Sequence, residues 1–162
     1  MKRIYCQIDK CLACRSCELA CAIVHSTSKD LVRAVSETPL PMRFIQVETV
    51  DRKGSLNHSP TGGSIALQCR QCEDPNCVKA CISGGMYIDE KSGNIVINPD
   101  KCVACWSCVM VCPFGVIVRH EGLHKALKCD QCPDLETPAC VKACPTKALQ
   151  YAEQLEIEKI SI

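Results

Sequence analysis

Asp100-Lys101-Cys102-Val103-Ala104-Cys105-Trp106-Ser107-Cys108-Val109-Met110-Val111-Cys112-Pro113 places four thiols at the spacing C-x2-C-x2-C-x3-C. Three cysteines so spaced bend the chain into a tight loop with their sulfurs pointing inward. The fourth starts or lies on a short helix that carries it away from the other three. The same pattern recurs at Asp9-Lys10-Cys11-Leu12-Ala13-Cys14-Arg15-Ser16-Cys17, with its fourth thiol at Cys21. Two groups of another kind interleave with these. Cys69, Cys72, Cys77 and Cys81 follow C-x2-C-x4-C-x3-C, and Cys129, Cys132, Cys140 and Cys144 follow C-x2-C-x7-C-x3-C before Pro145. Their ends match as Cys77-Val78-Lys79-Ala80-Cys81 and Cys140-Val141-Lys142-Ala143-Cys144. The order A-B-A-B marks a duplicated two-motif unit.

Composition says what these thiols are for. The chain has 162 residues, 17 of them Cys, and the cysteines are counted within a hydrophobic fraction of 47%. Only six residues are aromatic: Tyr5, Phe44, Tyr87, Trp106, Phe114 and Tyr151. That is thin for a chain held together by side-chain packing alone, so something attached to the cysteines is expected to fill the core. The formal charge is +1, which gives no strong attraction to nucleic acid. The longest apolar run, Cys108 to Val118, holds Pro113 and Gly115 and falls short of the roughly 18 residues of a membrane span. The opening Met1-Lys2-Arg3-Ile4-Tyr5-Cys6 has neither an apolar signal region nor a twin-arginine pair, so a cytoplasmic location is expected. Thiols stay reduced there, which favours metal binding over disulfides.

Four all-thiolate zinc sites, in a structural or interaction module, are the alternative. Zinc ribbons set two C-x2-C knuckles roughly 15 to 20 residues apart, and the group from Cys102 to Cys112 is too tight for separate knuckles. Covalent haem needs C-x2-C-H, and no His follows any pair. Iron–sulfur cubanes fit better. In the bacterial run C-x2-C-x2-C-x3-C-P the fourth Cys serves the neighbouring cluster, so clusters are held in pairs with crossing ligands. Four such sites would add about −8 to the charge.

Around the thiols the sequence predicts short elements. Residues 3–8 read as a strand and residues 15–24 as a helix carrying Cys21. The insert 25–68 contains a strand over 43–50, a loop over 54–64 and a return over 65–67. Residues 87–89 and 95–97 form one hairpin, and 116–119 and 125–127 form another across Glu121-Gly122. Helical turns precede Cys81, Cys112 and Cys144, and 148–151 is a last strand pairing with 3–8. Cys6 reads as a small buried hydrophobe on the first strand, and Trp106 as a packing lid that excludes water. Lys79 and Lys142, at matching repeat positions, read as solvated helix faces, and His25, His58, His120 and His124 as surface residues. No phosphate-binding, dinucleotide-binding or zincin motif is present, so the chain is expected to carry electrons and not to be an enzyme by itself.

Cys11 to Cys21 and Gln68-Cys69-Arg70-Gln71-Cys72-Glu73-Asp74-Pro75-Asn76-Cys77 resemble the four-cluster, ferredoxin-type electron-transfer subunits of anaerobic redox complexes. These include the iron–sulfur subunits of formate dehydrogenases, formate hydrogenlyases and molybdopterin oxidoreductases, and the ferredoxin-like partner of carbon monoxide dehydrogenase. The resemblance covers about residues 1–151, and the lack of a C-terminal hydrophobic helix brings the carbon monoxide dehydrogenase and hydrogenase-linked members nearest. It implies an α+β fold of two nested bacterial 2[4Fe-4S] ferredoxin-like modules. The outer module comprises 1–65 and 121–151 with the 25–68 insert, the inner one 66–120, and 152–162 is a tail. It implies four [4Fe-4S] clusters with crossed ligands. One takes Cys11, Cys14, Cys17 and Cys144; a second takes Cys129, Cys132, Cys140 and Cys21. A third takes Cys69, Cys72, Cys77 and Cys112; the fourth takes Cys102, Cys105, Cys108 and Cys81. Spacing alone also allows the last two groups to pair, since 16 residues separate them. The function implied is a soluble subunit wiring electrons between a catalytic redox subunit and a second redox protein. Candidate catalytic subunits are carbon monoxide dehydrogenase, hydrogenase, formate dehydrogenase or aldehyde oxidoreductase. The insert and the tail, needed by no cluster, are the expected docking surfaces. One departure is Cys81-Ile82-Ser83-Gly84-Gly85, where the family usually has a proline after the Cys.

Overall fold

Alternating apolar residues make the first element. β1 (Lys2–Cys6) pairs antiparallel with β8 (Leu149–Glu153), setting Ile4 opposite Tyr151 and Cys6 opposite Leu149. Alternation turns Ile4 and Leu149 inward, and both are buried. The structure, a computed structural model, describes residues 2–50, 63–120 and 122–153. Most of the expected 54–64 loop, His58, Glu121 and nearly all of the 152–162 tail lie outside the described residues. The chain divides into two units, residues 1–67 with 131–162, and residues 68–130.

In the first unit α1 (Ser16–Val24) carries Cys17 and Cys21 and packs against α5 (Ala139–Lys142), which carries Cys140. The insert holds a short helix that its sequence does not announce, α2 (Leu31–Ala34). Asp30 caps it, Oδ1 accepting the Arg33 N–H at 3.0 Å. β2 (Ile45–Val50) pairs with β3 (Gly63–Gln68). The strand starts at Ile45 and not at Arg43, because the Phe44 N–H is directed to Cys21 Sγ at 3.2 Å.

The second unit repeats the plan. α3 (Asn76–Lys79), carrying Cys77, packs against α4 (Ser107–Val111), carrying Cys108. β4 (Met86–Ile88) pairs antiparallel with β5 (Ile95–Ile97), and β6 (Val118–His120) with β7 (Lys125–Leu127). The Asp89 carboxylate closes the first hairpin by accepting the Ser92 N–H at 2.8 Å, with Gly93 at φ +69°. Residues 122–130 fall in this unit because β7 pairs with β6. Its core is small: Met86, Ile95, Cys108, Ile117 and Ala126 are buried, with Cys77, Cys81, Cys102, Trp106 and Cys112 packed against them. Thiols do much of the work that aliphatic side chains do in other cores.

Candidate metal centres

The cysteine loops are built from backbone turns that most residues avoid. Ala13 and Ala104 both have φ +54°, and Arg15 and Trp106 have φ +60° and +63°. Non-glycine residues persist in the left-handed region only where the surroundings over-determine them. Turns of this kind gather N–H groups into concavities that receive anions, including sulfur-ligated iron. A second bend recurs three residues after Cys81, Cys112 and Cys144. Gly84, Gly115 and Lys147 have φ +63°, +60° and +54° there, and each N–H bonds the carbonyl of that Cys at 3.2 Å. The proline missing after Cys81 therefore leaves this turn intact, since Gly84 adopts the left-handed conformation freely.

In the first unit Cys11, Cys14 and Cys17 face Cys144 across one hollow, walled by Val47, Ala66, Ala148 and Leu149. Thiols more than a hundred residues apart in sequence are thus brought together by the β1–β8 pair and the α1–α5 contact. Cys21 and Cys140 are buried on those two helices; Cys132 is half-buried in the same unit, and Cys129 belongs to the second. In the second unit Cys69, Cys72, Cys77 and Cys112 line one hollow with Ile95, Phe114 and Ile117. There, too, Cys81, Cys102 and Cys105 lie within electrostatic reach of Cys108. All 17 cysteines are free thiols. Soft, all-sulfur donor sets suit zinc or iron–sulfur groups, and four thiols about one left-handed loop have the number and chemistry that a cubane needs.

Environment divides the thiols. Burial pushes the Cys17 thiol up to about 12 and that of Cys77 to about 11, and raises Cys108 as well. Cys14 and Cys105 are exposed, and hydrogen bonds with the Ser16 and Ser107 hydroxyls lower them. Burial acts to raise Cys81, but hydrogen bonds from the backbone N–H of Met86, at 3.3 Å, the Ser83 hydroxyl and the Ser83 and Gly85 N–H groups together lower it.

Cys6 is half-buried on β1, receives the Ala66 N–H at 3.3 Å, and is raised by burial. Trp106 is half-buried against the second core, with the Arg119 guanidinium 5.3 Å over its ring. Lys79 and Lys142 are exposed, Lys79 pairing with Asp74. His124 is exposed, whereas His120 is half-buried and its Nδ1 accepts the Leu123 N–H at 3.0 Å. His25 is not a surface residue: it is half-buried, edge-on to Phe44 at 4.7 Å, with Nδ1 2.7 Å from the Cys21 carbonyl. Sequence reading missed the buried polar residues, Glu18, Gln71 and Lys128 among them. Glu18 accepts the Val47 N–H at 2.6 Å and pairs with Arg43 at 3.3 Å. Gln71 accepts the Ile95 N–H at 2.7 Å and donates to the Cys129 carbonyl, and Lys128 donates to the Ile95 and Cys129 carbonyls. For Gln71 and Lys128 the one available signal was the pair of matched stretches Gln68-Cys69-Arg70-Gln71-Cys72 and Lys128-Cys129-Asp130-Gln131-Cys132, and Glu18 lies in neither.

Comparison with known proteins agrees with this chemistry. The 4Fe-4S dicluster domain family matches residues 63–154. An "Iron-sulfur protein" of Rhodospirillum rubrum is 40% identical, over 93% of this chain and 81% of its own. Escherichia coli (strain K12) has "Electron transport protein HydN", 32% identical over 94% of this chain and 89% of its own. A subunit of the anaerobic dimethyl sulfoxide reductase from the same organism is 32% identical, over 93% of this chain and 73% of its own. Among the described residues no helix is long and apolar enough to cross a membrane.

Proposed function

Because this chain belongs to the 4Fe-4S dicluster domain family, we propose that it is an iron–sulfur electron-transfer subunit carrying four [4Fe-4S] clusters, docked on a catalytic redox protein. Mixed small helices and strands suit such a ferredoxin-like role. The observation that carries the reading is the convergence of Cys11, Cys14 and Cys17 on Cys144, and of Cys69, Cys72 and Cys77 on Cys112. Each hollow joins three thiols of one group to the last thiol of another, which supports crossed ligands in nested ferredoxin-like modules. The two remaining sets, by the same logic, are Cys102, Cys105, Cys108 with Cys81, and Cys129, Cys132, Cys140 with Cys21.

Cubanes held by these thiols would supply one-electron transfer without bond making or breaking. The chain's part is to space them, exclude water and set their potentials. Buried Cys17 and Cys108 and half-buried Cys77 face the apolar interior, while exposed Cys14 and Cys105 give short routes to a protein surface. The HydN and dimethyl sulfoxide reductase names support an electron-transfer subunit of an oxidoreductase complex, and a second redox protein is its proposed other partner. Carbon monoxide dehydrogenase, hydrogenase, formate dehydrogenase and aldehyde oxidoreductase are the candidate catalytic subunits, and the cytoplasm is the proposed location.

Anaerobically purified protein should be brown, bleach with dithionite, and contain about sixteen iron and sixteen sulfide per chain, four of each per cubane. Colourless, folded protein holding zinc would refute the reading. Anaerobic co-purification then identifies the catalytic partner.

A further inference from the structure

Lys128 is 6% exposed, at the end of β7 in the second unit. Its ammonium donates to two neutral oxygens, the Ile95 carbonyl and the Cys129 carbonyl, the latter at 3.0 Å. Among the described residues no carboxylate lies within ion-pair distance of it. A buried cation with only dipoles around it is costly, and proteins retain one where an anion completes the site. The surrounding bonds point to where that anion sits. Gln71, 1% exposed, accepts the Ile95 N–H at 2.7 Å and donates to the same Cys129 carbonyl at 3.4 Å. Gln71 stands between Cys69 and Cys72, and Ile95 walls the hollow that those thiols share with Cys77 and Cys112. Lys128 is thus tied through Ile95 and Gln71 to the rim of one hollow. Its field also reaches Cys77, opposing the burial that raises that thiol.

We propose that Lys128 is the built-in counter-charge of the iron–sulfur group in the Cys69, Cys72, Cys77 and Cys112 hollow, and that it raises the reduction potential of that group. The inference rests on the function proposed above and adds a residue that sets the order in which the sites fill. Reduction by dithionite adds one electron to a site of about −2, making it about −3, with no bond formed or broken. A fixed positive charge favours the more negative state. Sequence repetition supplies a control, because the position matching Lys128 in the other C-x2-C group is the neutral Gln68.

The test uses the full chain loaded with clusters, comparing wild type with K128Q, K128M and K128R. Iron, sulfide and visible absorbance establish loading, and an EPR-monitored dithionite titration gives the midpoints. K128Q keeps a donor for the Ile95 carbonyl and should load fully. One midpoint should fall in K128Q and K128M by at least tenfold in the reduced-to-oxidised ratio, about 59 mV for one electron. K128R should stay near wild type, and because the charge is buried the difference should persist in 1 M salt. If the neutral variants take up less iron while K128R takes the full set, the counter-charge role is equally upheld. Full loading with unchanged midpoints overturns it, as does loss of clusters in all three variants, which would mark Lys128 as a packing residue. A shifted component that survives unaltered in C77S overturns the assignment to this hollow. Wild-type protein without iron would instead sink the parent reading.

Discussion

Single side chains next to the cysteines decide how each site is tuned. Ser16 Oγ lies 3.4 Å from Cys14 Sγ, Ser107 bonds Cys105 in the matching loop, and Ser83 and Thr146 sit 3.7 and 3.8 Å from Cys81 and Cys144. A hydroxyl can turn its proton toward a thiolate and favour the reduced, more negative state. S16A and S107A should each lower one midpoint by ~1 kcal/mol, about 40 mV, in a potentiometric titration. Thiols raised by burial predict a pH effect. Cys17 and Cys77, raised to about 12 and 11, are protonated near neutrality and must release protons when they bind metal. Acid therefore opposes loading: at fixed iron and sulfide, bound iron should fall as pH drops from about 8 to about 6. Uptake that does not change with pH would contradict the protonated state assigned to these thiols.

At the scale of elements, Glu18 matters most. It lies on α1 beside Cys17, is 7% exposed, and joins the helix to β2 through the Val47 N–H and to the segment before that strand through Arg43. E18A leaves a buried N–H without its acceptor and should cost ~2 kcal/mol, lowering the melting temperature of loaded protein by several degrees. E18Q keeps an acceptor and should lose less. The matching position in the repeat is Val109, so the same substitution has no counterpart in the second unit. Hairpins and cysteine-bearing helices were legible in the sequence, to within a residue or two, because turn chemistry and the repeat both mark them. α2 was not, because four residues give too little periodicity to read and only the Asp30 cap marks its start.

For the molecule as a whole, the shortage of apolar core dominates. The second unit buries five hydrophobic residues together, one of them Cys108, and lays further cysteines against them. Removing iron would leave those thiols with nothing to converge on, so the fold is expected to depend on loading. Chelation under anaerobic conditions should abolish the cooperative thermal transition and most far-UV dichroism. A cluster-free chain that still melts cooperatively at the same temperature would contradict this.

Cysteine spacing by itself determined the donor chemistry, the A-B-A-B duplication and the grouping of thiols in fours, because close ligands on a short loop need no distant chain to define them. Which fourth thiol meets which loop was open on spacing, which allowed more than one pairing. The tertiary structure set Cys144 beside Cys11, Cys14 and Cys17, and Cys112 beside Cys69, Cys72 and Cys77. Only it revealed the buried charges of Glu18 and Lys128. A carboxylate or an ammonium looks like a surface residue in a sequence until folding removes the water around it.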